Sequence, residues 1–317
     1  MMRIHKQYPI ESSPLYRLSK KRKIAELLRV SLSELYSLYP DRRYNDFKQP
    51  KKDGTLRNVS APDERLKAIQ KRLLSLLQRI ETPEWLLSGK KKKSYIDNAR
   101  FHAEANEVVT IDIRKFYDNC SHKYIYAAYQ NIFKTSPDVA HLLAKITTRA
   151  WGLPTGAPTS QLIAYWAYSE TFAEINEIAN KYGCLFSLYV DDMTFSSLGT
   201  IPLERLLDEV SDALRTVGHR IKYSKIEHYR NGKAKLITGA VVDREHVLRV
   251  PNGLRYKIVV DMEKLKSGKL TDVEKVSITN TLMGRLMAAR NIEPGIFPEI
   301  LKLSKASAIS HSRVAQD

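Results

Sequence analysis

The sequence predicts an α/β (α+β) fold: a sheet with helices on one face, flanked by helical lobes. Three observations carry this. Helical and strand patterns alternate through the middle of the 317-residue chain, the C-terminal third from about residue 255 reads as helical and basic, and 43% of residues are apolar, enough for a sizeable core.

In chain order, "KKRKIAELLRVSLSELYSLY" (20–39) reads as two short helices. Ile24, Leu27 and Leu28 give the first an apolar face, and Ser31 with Glu34 reads as a capping box opening the second. The pair packs as a basic-flanked element or binds DNA as a helix-turn-helix. Next, Phe47–Lys51 and Leu56–Ser60 flank Asp53-Gly54, which signals a two-residue hairpin closed off by Pro62. Residues 63–80 follow as a helix with Leu66, Ile69, Leu73, Leu77 and Ile80 on one stripe. Lys67, Lys71, Arg72 and Arg79 lie opposite, as a solvated face or a phosphate-binding one. A basic loop (88–94) precedes the strand "VVTIDI". A helical stretch is expected from about Lys123 to Arg149, then a Pro/Gly turn, and helix again from Thr159. A strand pair around Asp191-Asp192, a helix over 202–217, and short strands near 221–227, 235–242 and 247–250 complete the middle.

Lys and Arg number 52 against 35 Asp and Glu, a net charge of +17, which points to a polyanionic partner, most simply nucleic acid. The two cysteines, Cys120 and Cys184, have no metal-ligand spacing and fit a reducing compartment. The longest uncharged run, Ala150–Ser169, contains Gly152, Pro154, Gly156 and Pro158, so no membrane span is expected. The N-terminus reads without an apolar leader, and the expected location is the bacterial cytoplasm.

Two segments each break an apolar strand with acid: Asp112 after "VVTI", and Asp191-Asp192 after "FSLYV". Neighbouring side chains on a strand point to opposite faces. Two adjacent aspartates therefore face one space only if they sit at a tight turn. That turn is either solvated surface or one wall of a cation site. Three carboxylates at adjacent strand ends would suit Mg²⁺, which takes oxygen ligands and keeps waters for substrate. With the basic excess, phosphoryl transfer on nucleic acid is the natural use. Asp118 reads as structural, on the turn leaving the strand.

These residues also carry a family resemblance. "IDIRKFYD", "GLPTGAPTSQLIA", "YVDD", Lys225 and "ITG" resemble, in order, the palm motifs of reverse transcriptases. The Lys51, Lys52, Asp53, Gly54, Arg57 hairpin with "LKAIQKRL" resembles their fingers motif. "NARFH" (98–102) fits the Asn-Ala-x-x-His signature of retron reverse transcriptases, through Asn98, Ala99 and His102. Their Val-Thr-Gly signature stands here as Ile237, Thr238 and Gly239.

The resemblance implies a right-hand polymerase fold. Residues 1–45 would form an N-terminal helical segment, 46–107 and 123–158 the fingers, 108–122 and 159–243 the palm, and 244–317 the thumb. It implies that Asp112, Asp191 and Asp192 are catalytic and hold two Mg²⁺ ions (with Mn²⁺ a possible substitute), with the backbone carbonyl of Ile113 a further ligand. Lys51 and Arg57 would clamp the incoming deoxynucleoside triphosphate (dNTP), and Tyr117 would exclude a ribose 2′-OH. Thr155 and Gly156 would line the nucleotide site, although the family has glutamine where Thr155 stands, and proline where Gln161 stands. Lys225 would stand near the leaving pyrophosphate. The implied activity is RNA-directed DNA synthesis on a cognate structured non-coding RNA, giving a branched RNA–DNA product that partners an accessory effector in anti-phage defence. The alternatives are a group II intron-like or diversity-generating reverse transcriptase, or a catalytically silent RNA-binding scaffold of the same fold.

Overall fold

Apolar stripes set the first helices. In the computed structural model, which describes residues 7–38, 42–50, 54–150, 152–267 and 270–299, α1 (Lys21–Leu28) buries Ile24, Ala25 and Leu28. α2 (Leu32–Ser37) starts on Ser31, whose side chain accepts from the Glu34 amide at 3.1 Å. The expected capping box is only half made, because the Glu34 carboxylate is taken by the guanidinium of Arg65.

By contact the chain divides into two compact units, Met1–Lys93 with Val109–His228, and Ser94–Val108 with Tyr229–Asp317. In the first, strands β1 (Tyr44–Pro50) and β2 (Leu56–Pro62) pair antiparallel from Tyr44↔Pro62 to Pro50↔Leu56. Of the expected Asp53-Gly54 turn, Asp53 lies outside the described residues. Pro50 has no N–H with which to extend the ladder. α3 (Glu64–Leu77) buries Leu66, Ile69, Leu73 and Leu77 as expected but stops before Ile80. Of its basic residues, Arg72 bonds the Leu27 carbonyl at 2.9 Å, whereas Lys67 and Lys71 are exposed; Arg79, just past the helix end, lies over the Tyr8 ring.

The four-stranded sheet has the order β4–β5–β3–β6, with β3 Glu107–Asp112, β4 Leu185–Tyr189, β5 Asp192–Ser197 and β6 Glu227–Tyr229. β3 is buried along most of its length, with Val108, Val109 and Ile111 as its apolar residues. The expected helix over 123–149 is three pieces: α6 (His122–Ala127), a π turn (Ala128–Ile132) and α7 (Pro137–Thr147). Lys134, at φ 52, ends the π segment, and Pro137 at the first turn restarts the helix. α8 (Ser160–Ala167), α9 (Ser169–Lys181) and α10 (Leu203–Thr216) follow, with α9 packed on β4 and beside α10.

His219 is buried against the rings of Phe116 and Tyr168, at centroid distances of 5.1 and 4.4 Å, and neither ring nitrogen has a hydrogen-bond partner among the described residues. Burial pushes its pKa down to about 4, so it folds neutral. Between its ordinary value near 6.5 and about 4, the unfolded chain takes up a proton that the folded one refuses. Stability is lost as pH falls through that window, by roughly 3 kcal/mol at pH 4. His219→Phe should flatten the urea-midpoint profile between pH 6.5 and 4; an unchanged acid slope would contradict this.

In the second unit, α4 (Tyr95–Phe101) packs with the three-stranded sheet β7 (Lys235–Ile237), β8 (Ala240–Val242) and β9 (Leu248–Arg249). The expected single strand over 235–242 is a hairpin, Ile237 pairing Ala240 across Thr238 and Gly239, at φ 46 and 103. α11 (Asn252–Lys266) and α12 (Asp272–Ile292) pack together, and a core of Ile96, Ala99, Val108, Ile258, Leu282 and Leu286 fills this unit.

Candidate active site

The question raised by adjacent aspartates is answered by register. Tyr189 pairs with Asp192, so Val190 and Asp191 form a two-residue hairpin turn and Asp192 opens β5. Val190 sits at φ 64, a conformation costing a β-branched residue about 1–3 kcal/mol. Its amide donates to Ser88 Oγ at 2.9 Å. Residues 85–88 in turn run along β4 through Leu188 N to Trp85 O at 2.9 Å and Leu87 N to Leu188 O at 3.0 Å. On the other side, Ile113 N donates to Asp191 O at 3.0 Å, tying the turn to the end of β3. Asp112, Asp191 and Asp192 thus gather at one end of the sheet. Nothing in the sequence marked Ser88 as the residue that holds this turn.

Electrostatics confirm the crowding. Burial, then the charge of Asp112, raises the pKa of Asp191; burial, then Asp191 and Asp112, pushes Asp192 up to about 7. The Lys225 ammonium bonds the Asp112 carboxylate. Burial opposes charge on Lys225, but this hydrogen bond and the aspartates outweigh it and raise its pKa. Among the described residues no three His, Cys, Asp or Glu side chains already stand in metal-holding geometry. The donor chemistry nevertheless fits a hard divalent cation: all-oxygen, with Asp112 buried and Asp191 and Asp192 half-buried, and short of positive charge. Lys225 supplies part of that charge.

β3 leaves the sheet through Lys115, at φ 49, into the single turn α5 (Phe116–Asn119). This turns the half-buried Tyr117 back toward the turn. Burial raises its phenol pKa, and the charge of Asp191 raises it further. Asp118 is exposed. Arg57 lies exposed on β2, opposite Gln49, where its charge reaches both Asp191 and Tyr117. Lys51 lies outside the described residues.

Thr155 and Gly156 dock β2. Thr155 Oγ1 donates to Asn58 O at 3.2 Å, and Gly156 N donates to Ser60 O at 3.1 Å. Arg149 adds bonds to Ser60 Oγ and Asp46 Oδ2, both 2.8 Å, and holds the Asp46 pKa down to about 2. A Cβ on Gly156 would lie 2.7 Å from Ser60 O. Gly156→Ala should cost about 1–3 kcal/mol by overpacking against β2, read as a lower urea midpoint. Unaltered stability would mean that the strand gives way freely.

Within the C-terminal unit, residues 140 apart in sequence meet. Asn98 Nδ2 donates to Thr238 Oγ1 at 3.3 Å, and Thr238 Oγ1 donates to Tyr95 O at 3.0 Å. Ala99 and Asn98 are fully buried, and a Cβ on Gly239 would meet the Tyr95 ring at 3.8 Å. His102 is buried as well, which pushes its pKa down to about 3. These residues hold α4 against the β7–β8 turn.

One sheet end thus gathers three carboxylates beside a lysine, with an arginine-bearing hairpin in electrostatic reach. Residues 49–258 match the family model described as reverse transcriptase (RNA-dependent DNA polymerase), and the chain belongs to that family. The retron-type resemblance is borne out by its relatives. The Retron Se72 reverse transcriptase of Salmonella heidelberg is 28% identical over 204 residues, 62% of this chain and 54% of that protein. This chain therefore spans about half of that relative's length. The Retron Ec83 reverse transcriptase of Escherichia coli is 26% identical over 283 residues, 85% of this chain and 89% of that one. The Retron Ec86 reverse transcriptase of Escherichia coli is 24% identical over 262 residues, 80% of each. A foamy viral protease-reverse transcriptase in complex with double-stranded DNA aligns over 92% of this chain and 43% of that one, at 15% identity and a TM-score of 0.45. Among the described residues no helix is long and apolar enough to cross a membrane.

Proposed function

We infer that the protein is the reverse transcriptase of a retron, making DNA on part of a cognate structured RNA to leave a branched RNA–DNA product. The observation that carries the synthetic half is the bond from Ile113 N to Asp191 O, which brings the Asp191-Asp192 turn beside Asp112. Asp112, Asp191 and Asp192, with the Ile113 carbonyl, would hold two Mg²⁺ ions, for which Mn²⁺ could substitute. Bound there, such ions would supply Lewis-acid chemistry to the attacking hydroxyl and the leaving oxygen. Lys225 would release Asp112 on loading and turn to the departing pyrophosphate as a proton donor, its raised pKa keeping it charged. Arg57, with Lys51, would grip the triphosphate, suited by the arginine fork. Tyr117 would close the space beside the sugar, and Thr155 and Gly156 would shape the nucleotide site from beneath β2. Fingers, palm and thumb with the boundaries given above, dNTP substrates, a bacterial cytoplasmic location, and an effector partner in anti-phage defence belong to the same reading.

Its synthetic half is tested by Mg²⁺-dependent dTMP incorporation on oligo(dT)-primed poly(rA). Incorporation that stops with EDTA is expected. Tight RNA binding with no incorporation would favour the silent scaffold.

A further inference from the structure

We propose that the recess between the end of β3 and the last turn of α10 is a phosphate-binding site, separate from the residues assigned to the incoming triphosphate. The cavity holds about 250 Å³ and is lined by Arg114, Ser211, Arg215, Arg220, Ile221 and Tyr223. Backbone pairing builds it. Arg114 N donates to Arg220 O at 2.8 Å, and Ile113 bridges Ile221 antiparallel, both isoleucines being buried. The alternation that sends the isoleucines inward leaves Arg114 and Arg220 exposed beside each other. Ser211 and Arg215, four apart on α10, share its facing side. Tyr223 Oη lies 3.3 Å from Ser211 Oγ.

Three guanidinium groups in one concavity repel each other. Arg215 has a carboxylate neighbour, Asp212 at 3.1 Å, but that pair is exposed at both ends and holds weakly. Among the described residues neither Arg114 nor Arg220 pairs with a carboxylate. The charge excludes a metal cation, and the volume lies just below the ~300–1,000 Å³ of pockets that enclose whole small molecules. A phosphate or diphosphate fits it. Arginine forks bind phosphate in two places, and the serine and tyrosine hydroxyls can donate to its remaining oxygens. Two sources share this chemistry: a backbone phosphate of bound nucleic acid, and free polyphosphate such as released pyrophosphate. Only that choice of sources rests on the polymerase reading.

The test uses the full chain without catalysis. Phenylglyoxal modification of Arg114, Arg215 and Arg220 is followed by mass spectrometry alone, with pyrophosphate, and with a short RNA hairpin. At least one ligand should slow modification of all three. Arg114→Gln/Arg220→Gln should weaken that ligand about tenfold and, for RNA, lower the salt-dependence slope by about 1–2. Tyr223→Phe, which removes no charge, should weaken it about twofold with the slope unchanged. Protection by RNA alone assigns the nucleic-acid backbone, and protection by pyrophosphate alone assigns the free source. Unchanged modification with both ligands overturns the site, as does unchanged affinity in a double variant with native circular dichroism. A protein that incorporates no nucleotide would still show protection, so failure of the polymerase reading is read separately.

Discussion

Asp191→Asn is expected to cut nucleotide incorporation by roughly a hundred- to a thousandfold, the order that loss of one preorganised group costs in such a site. The same change should leave folding intact and, in chelator at pH 7.5, raise the melting temperature. The sign follows from the raised pKa of Asp191. Burial and Asp112 penalise its charge in the folded state, so the fold loses stability as pH rises above the ordinary carboxylate value. A neutral amide of the same shape removes that penalty. Function and stability therefore move in opposite directions at one residue, as expected where a site is kept strained for its chemistry. Primer extension and a thermal melt on the same preparation check both halves. Full activity would place the metal site elsewhere, and a large fall in melting temperature would make the residue structural.

Tyr117→Ala is expected to lower the preference for dNTPs over ribonucleotides by roughly one to two orders of magnitude, the range a steric pocket commands over a single hydroxyl. The half-buried ring packs tilted against Phe116, centroids 5.6 Å apart, within reach of the Asp191 charge. Truncation opens space beside the aspartates without touching a carboxylate. Relative kcat/KM for dTTP and UTP on poly(rA) reads the effect directly. Equal discrimination in wild type and variant would return Tyr117 to a packing role.

The legible parts of this protein were those with local causes. The Asp191-Asp192 hairpin, the buried strand ending at Asp112 and the 203–216 helix all follow from short patterns of burial. The break near residue 134 was also written locally, since Ser136-Pro137 is a helix-start signal, but the apolar periodicity ran straight through it. Thr238-Gly239 hid a hairpin because threonine is a poor residue for a positive φ. What no local pattern could carry was the long-range docking. Ser88 holds the Val190-Asp191 turn from 102 residues away, and Arg149 pins β1 from 103 away. Gly156 is small because another backbone passes beside it. Asn98 and Thr238 were recognisable as signatures, while their hydrogen bond to each other became visible only once the chain had folded.

The most direct test of the account is the nucleic acid that co-purifies from cells expressing this protein with its native upstream DNA, run on a denaturing gel before and after RNase, with Asp191→Asn in parallel. The account predicts a discrete DNA band that shortens on RNase treatment and vanishes in the variant. RNA alone in both samples, with no DNA in the wild type, would contradict it.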